Sequence, residues 1–164
     1  MKTSEKGINL IKQLEGFSSR WYKDADSYSI GYGHFKLPND NFDNINKSFA
    51  DELLHKDVID AENKVNNAIK IELNSDQFDA LVVWSYNTGK GSSDLFNMIN
   101  RGDNIESIVK WWKSHYITSL GKTIPALIVR RKLEADLFAG SQITTKSTIP
   151  LIALALIMGY FIYK

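Results

Sequence analysis

The sequence predicts an α+β fold: a small N-terminal mixed lobe with a short antiparallel ribbon, a connecting helix, a helical C-terminal lobe and a C-terminal hydrophobic helix. Three patterns in the 164 residues predict it. Apolar residues recur at helical spacing between cap and stop signals over most of the chain. One stretch, "WYKDADSYSIGYGHFKL" at 21–37, instead alternates aromatic and β-branched residues with Asp, Ser and Gly, the mark of short strands. Residues 147–163 contain no charged side chain at all.

Ser4 is placed to cap a first helix, and Ile8, Ile11, Leu14 and Phe17 come after it at near-helical spacing until Gly16 stops it. In the ribbon, Gly31 and Gly33 mark tight turns or close backbone approach. "PNDNFDN" is a loop by composition. Residues 48–70 predict the longest helix, capped by Ser48, with Leu54, Val58, Ala61, Val65, Ala68 and Ile69 on one stripe. A helix of that length can join two lobes. "NSDQFDALVVWSYNTGKG" predicts a helix stopped by Gly89 with Phe78, Leu81, Val82 and Ser85 on one side, and "SSDLFNMINRG" repeats cap, apolar run and glycine on a smaller scale. "DNIESIVKWWKSHYI" puts Ile105, Ile108, Val109, Trp112 and Tyr116 on one face, which makes Trp112 core and leaves Trp111 free to be core or a sugar-stacking platform. The last helix of the lobe starts at Pro125 and ends before Gly140. A cleft between two such lobes is where a ligand would sit.

Composition narrows the function. Twenty Lys and Arg against nineteen Asp and Glu leave no strong overall field, so no nucleic-acid partner is expected. The absence of cysteine removes disulfides and thiolate metal sites, and His34 has no second His at ligand spacing. No metal and no cofactor are expected. The N-terminal residues are too polar for a secretory signal, so an exported role would need another route.

Two carboxylates stand out. Glu15 closes the first helix and Asp24 lies nine positions on, beside the first strand, so a returning ribbon can bring both to one cleft. Glycoside hydrolysis needs such a pair, one acid kept protonated and one left ionised. Glu15, between Leu14 and Gly16-Phe17, has the more apolar local company and suits the acid; Asp24, among Lys23, Asp26 and Ser27, should stay wet and charged. Ser29 could hold the water that Asp24 orients. The pair alone is a common coincidence, and taken by itself it is better accounted for by solvated carboxylates on a helix end and a turn.

The surrounding residues say more. "EGF", "WYKD" and "YSIGYGH", then "SDQFDALVVWSYNTGKG" and "IPALIVRRKLEADLF", resemble in order the signature stretches of the phage-type lysozymes, the endolysin family that cuts the peptidoglycan glycan strand. The resemblance runs through most of residues 5–139. It implies a lysozyme-like fold, Glu15 as general acid, Asp24 as second carboxylate and Ser29 in the place of the family's threonine. It also implies that Gly31, Tyr32, Gly33 and Arg130 contact substrate, that His34 is a structural pairing residue, and that the catalytic lobe is monomeric. Of Arg130 and Arg131, the resemblance has one orient a cleft carboxylate, and a solvated helix face accounts for the other. The chain departs from the family in having four residues between Asp24 and Ser29, one fewer than usual. A one-residue deletion in a strand swaps the faces of every residue beyond it, so the turn around Asp26 and Ser27 must absorb it in a tighter hairpin tip. If Ser29 instead points away, water is badly placed. Three readings therefore stand: a muramidase, a lytic transglycosylase that closes a 1,6-anhydro sugar, and a wall-binding or membrane-docking component without activity.

The hydrophobic end lies outside the family pattern. The sequence divides into a lysozyme-like domain at 1–140, a polar tether at 141–147 and an anchor helix at 148–164. Seventeen uncharged residues (147–163) reach roughly 25 Å as a helix, against a hydrocarbon core of about 30 Å. Lys146 and Lys164 bracket the run, Tyr160 and Tyr163 suit an interfacial belt, and no polar stripe favours a surface-lying helix. The expected partners are thus peptidoglycan glycan strands and, through 148–164, a lipid bilayer. The expected location is a viral or host membrane facing the bacterial wall.

Overall fold

The computed structural model describes residues 1–24, 27–91 and 93–140. Among them, helix α1 (Glu5–Glu15) leads into an antiparallel sheet of β1 (Ser18–Asp24), β2 (Ser27–Gly31) and β3 (His34–Phe35), in the order β1-β2-β3. Helices α2 (Lys47–Ala68), α3 (Ser75–Thr88), α4 (Asp94–Asn100) and α5 (Ile105–Ser114) come next. A two-stranded hairpin, β4 (Thr118–Ser119) and β5 (Lys122–Thr123), precedes α6 (Pro125–Phe138).

Helix α3 is the centre of the helical part. Every residue from Phe78 to Ser85 is buried, so it is covered all round, not on one stripe as its sequence suggested. It packs against α1, α2 and α6, and α6 in turn against α5. The N-terminus of α1 is tied to α3 by Ser4, whose amide donates to Asp79 Oδ1 at 2.9 Å and whose hydroxyl donates to Asp79 Oδ2. Ile8, Ile11 and Leu14 bury the inner face of α1. Each such side chain contributes about 1.5–3 kcal/mol relative to exposure, which fixes the rotation of α1 and therefore where Glu15 projects.

The long helix starts earlier than expected. Asn46, not Ser48, is its cap, its side chain accepting from the Phe49 amide at 2.9 Å. The sheet rests on this helix through Gly31, which has φ +65 and where a Cβ would lie 3.2 Å from both Ala50 Cβ and Ile45 Cδ1. The loop before α2 lies along β1: the Ile45 amide donates to Ser19 O at 3.0 Å, and Trp21 Nε1 donates to Phe42 O at 2.7 Å.

The hairpin β4–β5 was not foreseen. Its turn places Leu120 at φ 49 and Gly121 at φ 75, and a leucine in the left-handed region carries no turn signal in its sequence. The expected tether and anchor at 141–164 lie outside the described residues. Among the described residues, no helix is long and apolar enough to cross a membrane.

Candidate active site

Helix α1 ends at Glu15, and the chain turns back at once as β1, so the carboxylate stands where helix, sheet and α6 meet. Glu15 is only 8% exposed. Its surroundings are polar, in contrast to the apolar company expected from its neighbours in sequence. The Arg130 guanidinium donates from Nη2 to Glu15 Oε1. On the other side is Gly33, at φ +92, where a Cβ would stand 3.7 Å from Glu15 Oε2 and 3.9 Å from Tyr86 Oη. A Cβ there would meet both groups at ordinary contact distance, and it is the φ of +92 that would strain any residue but glycine.

The second carboxylate is held by the ribbon. Tyr22 pairs with Ser29 and Asp24 with Ser27, which sets Tyr22, Asp24 and Ser29 on one face of the β1–β2 pair. The Ser29 hydroxyl donates to Asp24 Oδ2 at 3.1 Å. Ser29 therefore faces Asp24, and the shortened spacing has not turned it away. Residues 25 and 26, on which the expected tighter tip rests, lie outside the described residues. β1 carries a register shift between Ser18 and Tyr22, where four residues advance against two of β2. Asp24 is 7% exposed and Ser29 fully buried, so the expectation of a wet, solvated Asp24 is corrected. The β1–β2 pairing screens it, and the Ser29 hydroxyl takes the place of water at one oxygen.

Tyr22 lies within electrostatic reach of both acids. Burial, then the negative charges of Glu15 and Asp24, push its hydroxyl well above the usual tyrosine range, with Ser29 acting in the opposite sense. Tyr86, from α3, has the same dependence on burial and on Glu15, and its hydroxyl donates to Tyr32 O at 3.1 Å. Neither tyrosine was singled out from the sequence. Tyr22 could have been, since it lies two residues before Asp24 and so shares its face.

Of the other residues expected at the site, Arg130 bonds to Glu15 directly and Gly33 lies beside it. Gly31 does not; it packs against α2. Tyr32 contributes its carbonyl to Tyr86, while its ring packs on Phe17 at 5.7 Å between centroids and lies near Lys12. Trp112 is core, fully buried, and Trp111 stacks on His115 with ring centroids 4.1 Å apart. Arg131 corrects the sequence reading outright. It is fully buried, with Nη2 at 2.5 Å from Asn87 Oδ1 and 3.1 Å from Glu134 Oε1, and no solvated face accounts for it.

Beside Gly33 opens a cavity of about 440 Å³ between the ribbon and helices α2 and α3, lined among others by His34, Phe35, Leu37, Lys64 and Tyr86. His34 forms its wall. Its Nδ1 lies 2.8 Å from Asp57 Oδ2 on α2, and its Nε2 lies 3.1 Å from Asp40 Oδ2. With a carboxylate at each nitrogen, the doubly protonated ring is the form that satisfies both. The hydrogen bond to Asp57 is the main cause that raises its pKa from the ordinary 6.5, against the opposing effect of burial. A raised folded value makes the stabilisation complete below the unfolded value and removes it as pH rises through the folded one. Denaturant midpoints are therefore expected to fall as pH climbs from near 6.5, and His34→Asn should flatten that slope. A slope unchanged in the variant would show that His34 is not its source.

Comparison with known proteins finds relatives along most of the chain. Residues 12–134 match the family model described as phage lysozyme. The chain is 36% identical over 147 residues to the endolysin of Bacillus phage B103, covering 84% of this chain and 54% of that protein. It thus spans about half the length of the Bacillus phage endolysins it matches. The endolysin of Acyrthosiphon pisum secondary endosymbiont phage 1 is 31% identical and matched over 98% of its length, against 84% of this chain. Among solved structures, the muramidase domain of SpmX from Asticaccaulis excentricus superposes with a TM-score of 0.75 at 29% identity, covering 84% of this chain and 97% of that one. By the family match, which takes in the helix end at Glu15, the ribbon and most of α6, the chain belongs to the phage lysozyme family.

Proposed function

We propose that this chain is a peptidoglycan hydrolase, a muramidase that cleaves the β-1,4 bond between N-acetylmuramic acid and N-acetylglucosamine. The observation that carries the reading is the paired site: Glu15 held by Arg130, and Asp24 bonded to Ser29, with Tyr22 sensing both acids. In this reading Glu15 protonates the glycosidic oxygen as its bond to C1 breaks. Water, positioned by Asp24 and the Ser29 hydroxyl, forms the new bond to C1 and releases its proton to Asp24. The opening beside Gly33 admits the glycan strand, and Arg130 positions the acid. No step calls for a cofactor.

The membrane tether is the finer part of the proposal and rests on sequence. Residues 147–163 are free of charge and bracketed by Lys146 and Lys164, which suits an anchor in a viral or host membrane with the catalytic lobe facing the wall. Two assays test the two parts. Full-length protein added to purified peptidoglycan should release fragments with free N-acetylmuramic reducing ends, read by mass. Products ending in 1,6-anhydro sugars would make it a lytic transglycosylase, and no turnover would leave a binding protein. The same protein should float with lipid vesicles where a chain ending at Gly140 does not; equal flotation of both removes the anchor.

A further inference from the structure

Behind Arg130 lies a second acid that the reaction does not use. Glu134 is wholly buried, with Oε1 3.6 Å from Arg130 Nε and 3.1 Å from Arg131 Nη2, and Oε2 accepting from Trp112 Nε1 at 2.9 Å. Arg130 therefore stands between two carboxylates, Glu15 at the cleft and Glu134 in the core. We propose that Glu134 is a positioning residue that acts through Arg130 to set the pH at which Glu15 gives up its proton. The inference rests on the hydrolase reading only in assigning that proton to the glycosidic oxygen.

Geometry argues against a merely structural ion pair. A buried pair built for stability would be bidentate and saturated with hydrogen bonds. Here Arg130 Nε, Arg131 Nε and Nη1, and Glu134 Oε1 are buried without a hydrogen-bond partner among the described residues. The contacts to Oε1 are charge against charge at ion-pair distance. Arg130 is thus not locked onto Glu134, and its one charge-assisted hydrogen bond goes to Glu15. The charge of Glu134 still reaches it. Desolvation raises the pKa of Glu134, opposed by Arg131, then Arg130, then the bond from Trp112, with Glu15 acting to raise it further. Glu134 Oε1 stands 3.6 Å from Nε of the guanidinium whose Nη2 meets Glu15, so its negative charge offsets part of the positive charge that Arg130 presents to the cleft.

Among the described residues, the charged and titratable groups around the two acids include Asp57 of α2, whose charge acts on Tyr86 together with that of Glu15. Arg130 and Arg131 come from α6, Tyr22 and Asp24 from β1, and Tyr86 from α3; Asn87 and Trp112 supply neutral contacts. Among the described residues, Glu134 is the acid that meets both guanidiniums from the core side. Neutralising it leaves them uncompensated beside Glu15, which then loses its proton at lower pH.

The test is Glu134→Gln, which preserves shape and an acceptor for Trp112. The Glu15 carboxyl carbon, followed by NMR in the intact chain, should titrate lower in the variant by on the order of one pH unit. The alkaline limb of kcat/KM on peptidoglycan should move by the same amount, roughly a tenfold loss at a fixed pH on that limb. An unmoved or raised Glu15 midpoint overturns the proposal. Should the variant not fold, the wild-type chain decides: Glu134 must be ionised across the range where Glu15 titrates, and a Glu134 protonated throughout overturns it. If wild-type protein cleaves no peptidoglycan, the hydrolase reading fails, while the NMR midpoints still decide the coupling.

Discussion

Glu15→Gln is expected to lower turnover on peptidoglycan by roughly 10²–10⁴-fold, the contribution typical of a positioned general acid, while the chain stays folded. The substitution is nearly isosteric. The carboxamide oxygen can still accept from Arg130 Nη2, so the buried guanidinium keeps a partner, and Glu134 remains at 3.6 Å from its Nε. The variant lacks only a proton that can be given to a leaving oxygen. Binding should survive, because neither Gly33 nor the cavity wall at His34 and Tyr86 changes. The signature is therefore a collapse of kcat with little change in affinity for the wall. Full activity in the variant would show that the acid is elsewhere and that the site built around Glu15 is not the reaction centre.

Much of this site was legible because its chemistry is local. Glu15 at a helix end before Gly16, and Asp24 two residues after Tyr22 on a strand face, are set by spacing and caps within twenty residues of chain. The same holds for the helices opened by Ser4, Asn74, Ser93, Asn104 and Pro125, where a short polar side chain or a proline marks the start. Two things were not legible. Leu120 turns the β4–β5 hairpin in a conformation that leucine seldom takes, so the lone Gly121 beside it was too weak a signal to announce the turn. Arg131 and Glu134 sit three apart on a helix, which in sequence is the spacing of an exposed pair. Only their long-range partners, Asn87 on α3 and Trp112 on α5, show that both are buried. Arginine and glutamate are seldom fully buried, so any sequence reading that weighs residue types by exposure puts them on the surface.

The largest loss of stability is expected at Trp112, where packing and the buried charges meet. The indole is fully buried, lies 5.5 Å from the Phe138 ring centroid, and donates to Glu134. Trp112→Ala removes a large apolar side chain at about 3–5 kcal/mol. It also strips a buried carboxylate of its hydrogen bond to the indole, about 1–3 kcal/mol more. Those sums approach the whole stability of an ordinary domain, about 5–15 kcal/mol, so urea unfolding should show the variant at the edge of folding. Trp112→Phe separates the two contributions. Most of the volume is restored and only the donor is lost, so its midpoint should fall by the smaller amount alone. An exposed pair such as Lys6–Asp76, at 2.7 Å, sets the scale for comparison, since breaking it should cost no more than about 1 kcal/mol. If Phe proves as damaging as Ala, the hydrogen bond outweighs the packing, and the α5–α6 contact is held mainly by Glu134. If Phe is neutral, Glu134 does not depend on the indole, and the two arginines alone compensate the buried carboxylate.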